Sequence, residues 1–146
     1  MLPRLKVLFL CTGNSCRSQM AEGWTRALHG EWIEAHSAGI EAHGLNPRAV
    51  QVMAEAGVDI RGQRSRTIDQ LDRIDFDWVV TVCGAADERC PSFPGTARRL
   101  HHGFDDPPKL ALDAKNEDDA LAPYRRVRDE IRRFIETLPR QLETTR

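Results

Sequence analysis

Lys6-Val7-Leu8-Phe9-Leu10-Cys11-Thr12-Gly13-Asn14-Ser15-Cys16-Arg17-Ser18 decides how this chain is read. The apolar run Val7 to Leu10 has charge before it and a Gly-Asn turn signal after it, so it reads as a buried strand. A helical pattern follows at once, with Cys16, Met20, Trp24, Ala27 and Leu28 on one face. The five residues between Cys11 and Arg17 are enough to wrap backbone N–H groups around one tetrahedral anion. Gly13 and Asn14 tolerate the left-handed backbone that such a wrap demands. The helix starting near Ser15 turns its unpaired N–H groups and positive dipole end to the same spot. Arg17 adds a planar fork for two anion oxygens. Thr12, Gly13, Asn14, Ser15, Cys16 and Arg17 are therefore the expected oxyanion-binding set. Cys11 lies at the floor of this nest as the candidate nucleophile. Its thiolate is expected to be favoured by the same donors, with the Ser18 hydroxyl bonding the sulfur. The bland alternative is a buried strand-end thiol. Cys16 shares a helix face with Met20 and Trp24 and reads as a packed neighbour, not a second nucleophile.

Outward from this loop, strands alternate with helices. Glu34 to Ser37 reads as a strand, Asn46-Pro47 as a capped helix start, and Gly57 as that helix's end. Thr67 with Gln70 resembles a capping box for a short helix. Trp78 to Val82 is a strand covered on both faces, and Arg98 to His102 a further short strand. Asp113 to Asp119 reads as a polar loop. Leu121, Tyr124, Val127, Ile131, Phe134, Ile135 and Leu138 mark a last helix, which Pro139 is expected to stop or bend. The order predicts one α/β domain over residues 1–146, with a four-stranded, mostly parallel sheet flanked by helices. Ligands in such sheets sit outside the carboxyl ends of the strands, where Cys11 and Cys83 both fall.

Composition narrows the function. The chain has 146 residues, 40% hydrophobic and 29% charged, with a formal charge of −1, which gives no reason to invoke nucleic acid. No apolar run is long enough for a membrane span or a secretory leader, so the expectation is a cytoplasmic protein. Four cysteines in a reducing compartment are then catalytic or metal-binding rather than structural bridges. No apolar stripe lacks a place in the core, so a monomer is expected.

Cys83 and Cys90 are separated by six residues. If that segment is helical their sulfurs start too far apart to bond, and pairing requires local unwinding. Zinc is the competing reading, but structural zinc uses closer spacings and four ligands; two unrelated thiols is the third. Gly103-Phe104-Asp105-Asp106-Pro107-Pro108 is a stiffened loop in which one carboxyl could protonate a leaving oxygen, and these residues alone do not separate Asp105 from Asp106. His101 and His102 face opposite ways on a strand and read as structural.

These residues resemble the thioredoxin-coupled arsenate reductases, which share the low-molecular-weight protein tyrosine phosphatase fold. The likeness spans nearly the whole chain. It includes Cys11 to Trp24, Ser37-Ala38-Gly39-Ile40, His43-Gly44, Asn46-Pro47, Cys83, Cys90-Pro91, Gly103 to Pro107 and Arg126 to Ile131. The resemblance implies a three-layer fold and a thiol relay. Cys11 would attack arsenate, held by the loop amides and Arg17, and Asp106 would protonate the leaving oxygen. Cys83 would take the Cys11 sulfur and release arsenite, and Cys90 would take Cys83. Thioredoxin would reduce the resulting Cys83–Cys90 bond, with no bound cofactor or metal. Some relatives bind potassium at positions matching Asn14, Glu22 and Ser37, but Arg66 stands where a further carboxylate ligand is expected, so potassium independence is anticipated. The alternatives are a phosphatase of small aryl phosphates using Cys11, Arg17 and Asp106, and a non-catalytic zinc or regulatory module.

Overall fold

The computed structural model describes residues 4–72, 74–84 and 97–144. Four strands, β1 (Leu5–Cys11), β2 (Ile33–Gly39), β3 (Trp78–Thr81) and β4 (Arg98–His101), form one sheet in the order β2-β1-β3-β4. Every pairing is parallel. β1 is central, and Val7 to Leu10 are wholly buried, which is why its apolar run is unbroken rather than alternating. β4 is an edge strand, and its arginines and histidine are exposed.

Helix α1 (Arg17–His29) follows the loop and buries Met20, Ala21 and Trp24. Helix α2 (Pro47–Glu55) starts as its sequence requires: the Asn46 side chain accepts from the N–H groups of Arg48 and Ala49, and Pro47 opens the first turn. Thr67 and Gln70 do form a capping box, but it closes only a single 3-10 turn, Ile68–Gln70. A short helix α3 (Pro107–Leu110) follows the Asp-Pro segment.

The last helix, α4 (Glu117–Thr144), departs from expectation at both ends. The polar stretch read as a loop contains its start. Asn116 Oδ1 accepts the Asp119 N–H at 2.8 Å, and three acidic residues occupy the first turn, where the helix dipole favours negative charge. Pro139 does not stop the helix, which runs on to Thr144. One missing N–H is outweighed by the burial of Phe134, Ile135, Leu138 and Leu142 along the same stripe.

The site follows from the strand order. The chain leaves β1 toward β2 on one side, while β3 lies on the other. The loop after β1 therefore opens at the crevice where a parallel sheet reverses its winding. Leu10 pairs with Thr81, which brings Cys11 and Cys83 to neighbouring strand ends.

Candidate active site

Residues 12–16 make a tight loop between β1 and α1. Asn14 takes the left-handed conformation, with φ of 46°. The loop carbonyls are tied outward. Cys11 O accepts from Ile40 N at 3.3 Å, Thr12 O from Glu41 N at 2.9 Å, Gly13 O from His43 N at 2.9 Å and Ser15 O from Asn46 N at 3.0 Å. A planar peptide whose oxygen points out directs its neighbouring N–H inward. The chain that runs from β2 to α2 thus holds the loop's peptides in one orientation. Close approach matters here: a Cβ on Gly39 would lie 2.3 Å from Glu41 O and 2.7 Å from Asn14 N.

Above the loop lies a cavity of about 350 Å³, lined by Cys11, Thr12, Gly13, Ser15, Cys16, Arg17, His43, Asn46, Asp106 and Pro108. Five of the six expected oxyanion-binding residues line it directly. Asn14 is buried beneath and acts on its neighbours: its Oδ1 accepts from Arg66 N at 2.8 Å and its Nδ2 donates to Ser18 Oγ at 2.9 Å. Arg17 reaches over the pocket, with Nη1 donating to Phe104 O at 3.0 Å and Nη2 lying 3.7 Å from Asp106 Oδ1. Its Nε is buried and lacks a hydrogen-bond partner among the described residues. A buried guanidinium donor without an acceptor is costly, and an oxyanion removes that cost. The two aspartates separate cleanly. Asp106 lines the cavity, whereas Asp105 pairs with Arg126 at 3.0 Å on the surface.

Cys11, Cys16 and Cys83 are all buried. Cys83 lies at the strand end beside Cys11, with its sulfur 3.3 Å from Thr12 Oγ1. The expected thiolate preference of Cys11 is corrected by this neighbour. The hydrogen bond to Cys83 and then burial push the Cys11 thiol well above its ordinary value, while Arg17 and the Ser18 N–H pull it down. Ser18 Oγ accepts from Asn14 Nδ2 at 2.9 Å, which leaves the hydroxyl hydrogen to donate. Cys16 is pushed up to about 12 by burial, in keeping with a packed neighbour rather than a nucleophile. Cys90 lies outside the described residues. His101 Nδ1 meets Thr81 Oγ1 at 2.8 Å and His102 stacks on Phe104, both structural contacts.

No group of three or more His, Cys, Asp or Glu side chains able to hold a metal occurs among the described residues. The three residues matching a potassium site are engaged with one another's neighbours and with arginines. Glu22 Oε1 accepts from Ser37 Oγ at 2.6 Å, Glu22 Oε2 pairs with Arg26 at 2.7 Å, and Asn14 Oδ1 is taken by the Arg66 N–H. Burial raises the Glu22 carboxyl, opposed by Ser37, Arg26, Arg66 and His36. Positive charge beside Glu22 is already supplied by guanidinium groups.

A cysteine at the floor of an amide nest, with an arginine and an aspartate at its mouth, agrees with what comparison finds. A family model described as low molecular weight phosphotyrosine protein phosphatase matches residues 6–146. The chain belongs to that family. Among its members, this low molecular weight phosphatase-type chain is 52% identical over 131 residues to an arsenate reductase of Halalkalibacterium halodurans, covering 90% of this chain and 92% of that one. It is 50% identical over 135 residues to an arsenate reductase of Bacillus subtilis, covering 90% and 95%. Among solved structures, an arsenate reductase in a phosphate-binding state superposes with a TM-score of 0.74 at 32% identity, over 94% of this chain and 98% of that one. A low molecular weight protein tyrosine phosphatase from T. tengcongensis gives 0.70 at 28% identity, over 94% and 99%. No helix among the described residues is long and apolar enough to cross a membrane.

Proposed function

We propose that this protein reduces arsenate to arsenite through a relay of Cys11, Cys83 and Cys90, with thioredoxin as the terminal reductant. The observation that carries this reading is the Cys83 thiol at the strand end beside Cys11, 3.3 Å from Thr12 Oγ1 of the same loop. Phosphoryl transfer uses one sulfur; a second thiol at the adjoining strand end suits a disulfide.

The oxyanion is held by the inward amides and by Arg17. Cys11 sulfur attacks arsenic, and a hydroxyl leaves as water with a proton from Asp106. Cys83 sulfur then attacks Cys11 sulfur. The S–S bond forms, the S–As bond breaks, and its electron pair passes to arsenic, which departs as arsenite. Thr12 Oγ1 is placed to hydrogen-bond Cys83 as it loses its proton. Cys90 attacks Cys83, Cys11 is freed, and the thioredoxin dithiol reduces the last bond. Phosphate is a tetrahedral oxyanion of the same kind, so discrimination rests on chemistry, because thiols reduce arsenic(V) and not phosphorus(V).

Hydrolysis of small aryl phosphates is the second reading, because Cys11, Arg17 and Asp106 are what it needs. The described lining of the cavity contains no phenylalanine, tyrosine or tryptophan to pack a phenolic leaving group, which favours the inorganic substrate. The test is arsenate-dependent NADPH oxidation with thioredoxin and its reductase, run on wild type and on each Cys→Ser variant. Cys90→Ser is expected to turn over about once and accumulate a Cys11–Cys83 disulfide, visible by mass spectrometry. Full multiple-turnover activity in Cys83→Ser or Cys90→Ser would defeat the relay.

A further inference from the structure

Four carbonyls of the oxyanion loop are tied outward by backbone N–H groups. The carbonyl of Asn14, the residue with positive φ, takes its donor from a side chain: Gln19 Nε2, at 2.9 Å. Gln19 is wholly buried under the loop on α1. The same nitrogen donates to Arg64 O at 2.9 Å, so both amide hydrogens are engaged. Its Oε1 accepts from Gln63 Nε2 at 2.9 Å, and the same Gln63 nitrogen reaches Gln19 O at 3.0 Å. This settles the orientation of the Gln19 amide. Turned over, it would set an oxygen against two carbonyl oxygens and a nitrogen against a donor.

The geometry points to Gln19, locked by Gln63, as a positioning residue that sets the Asn14–Ser15 peptide and through it the affinity of the loop for a tetrahedral oxyanion. The peptide is planar, so its oxygen and the Ser15 N–H point opposite ways. With Asn14 O held outward, the Ser15 N–H faces the pocket. If the Gln19 donor is lost, the peptide is free to rotate at its most strained residue, which withdraws one N–H and turns a carbonyl oxygen toward the anion. Ser65 braces the adjacent turn from the same segment, with its Oγ 3.3 Å from Gly13 O. The inference rests on the oxyanion-site reading but not on the thiol relay.

Inorganic phosphate is the probe, titrated by calorimetry and by protection of Cys11 against alkylation, with melting temperature measured alongside. Gln19→Glu keeps the shape and removes the donor. It should raise the phosphate dissociation constant about tenfold or more, the loss expected when buried acceptors are left unpaired. The KM for arsenate should rise in step, with kcat at saturation far less affected. Gln63→Ala should show a smaller rise, and Gln63→Lys, which restores a donor beside Gln19 Oε1, should recover most of it. A folded Gln19→Glu that binds phosphate like wild type overturns the inference. If Gln19→Glu does not fold, the Gln63 pair decides: wild-type affinity in Gln63→Ala, or equal losses in Gln63→Ala and Gln63→Lys, overturns it. Wild type that fails to bind phosphate defeats the oxyanion reading itself, which is a distinct result.

Discussion

Gly39→Ala tests how the active-site loop is held. An added Cβ would lie 2.3 Å from Glu41 O, 2.7 Å from Asn14 N and 2.8 Å from Thr12 O. All three are backbone atoms, so no side chain can swing away. Relief requires the end of β2 and the loop to part by about 1 Å, given ordinary contact distances of about 3.5 Å. The Glu41 N to Thr12 O bond of 2.9 Å spans that gap, as does the His43 N to Gly13 O bond of 2.9 Å. Stretching both forfeits about 1 kcal/mol each, and the overpacking itself adds about 1–3 kcal/mol. The expected loss is about 3–5 kcal/mol, or about 6–20 °C in melting temperature for a domain of this size. Phosphate affinity should fall together with it, because the displaced Asn14 N–H and the Thr12 and Gly13 peptides belong to the nest. Gly62→Ala is the control, since nothing lies within 4 Å of its Cβ. Thermal melts and phosphate titration of both variants are the assay. Gly39→Ala with wild-type melting and wild-type affinity would refute the claim that the β2 end clamps the loop.

Replacing Cys83 with alanine removes the largest influence raising the Cys11 thiol. The pH midpoint for alkylation of Cys11 should therefore move down and its rate at neutral pH should rise; an unchanged or higher midpoint would contradict the contact. Asp106→Asn should lower arsenate turnover by about 10²–10⁴-fold, the usual worth of a general acid, whereas Asp105→Asn, which touches Arg126 on the surface, should remain close to wild type. Equal losses at the two positions would contradict the assignment. Turnover should be the same in sodium and potassium buffers of equal ionic strength, because the Glu22 oxygens are already held by Ser37 and Arg26. A large potassium stimulation would overturn that assignment.

Much of this molecule was legible in its sequence because the decisive signals are local. The apolar run before Cys11, the Asn46-Pro47 start and the turn at Asn14 each act within a few residues, and the structure places them as expected, although Gly13 itself does not take a positive φ. The start of α4 was misread because Asp113 to Asp119 is polar in either reading. Asn116 followed by three acids is a capped first turn, and only the helix behind it distinguishes that from a loop. The acid–base state of Cys11 was misread for a different reason. The loop donors are near in sequence, but Cys83 is 71 residues away from the adjoining Thr12 it contacts and reaches the site only through strand pairing. Gln19 and Gln63 left no signal at all, since a polar residue within an apolar helix face and another in a turn are individually ordinary. The residues alone did not separate Asp106 from Asp105; the resemblance named Asp106, and the structure sets Asp105 apart by pairing it with Arg126 on α4.

The anion is met by peptide groups, while the parts that aim them stand behind the loop. Gly39 and Gln19 are two such parts, and neither lines the pocket, so a change of grip can begin at a residue the ion never meets.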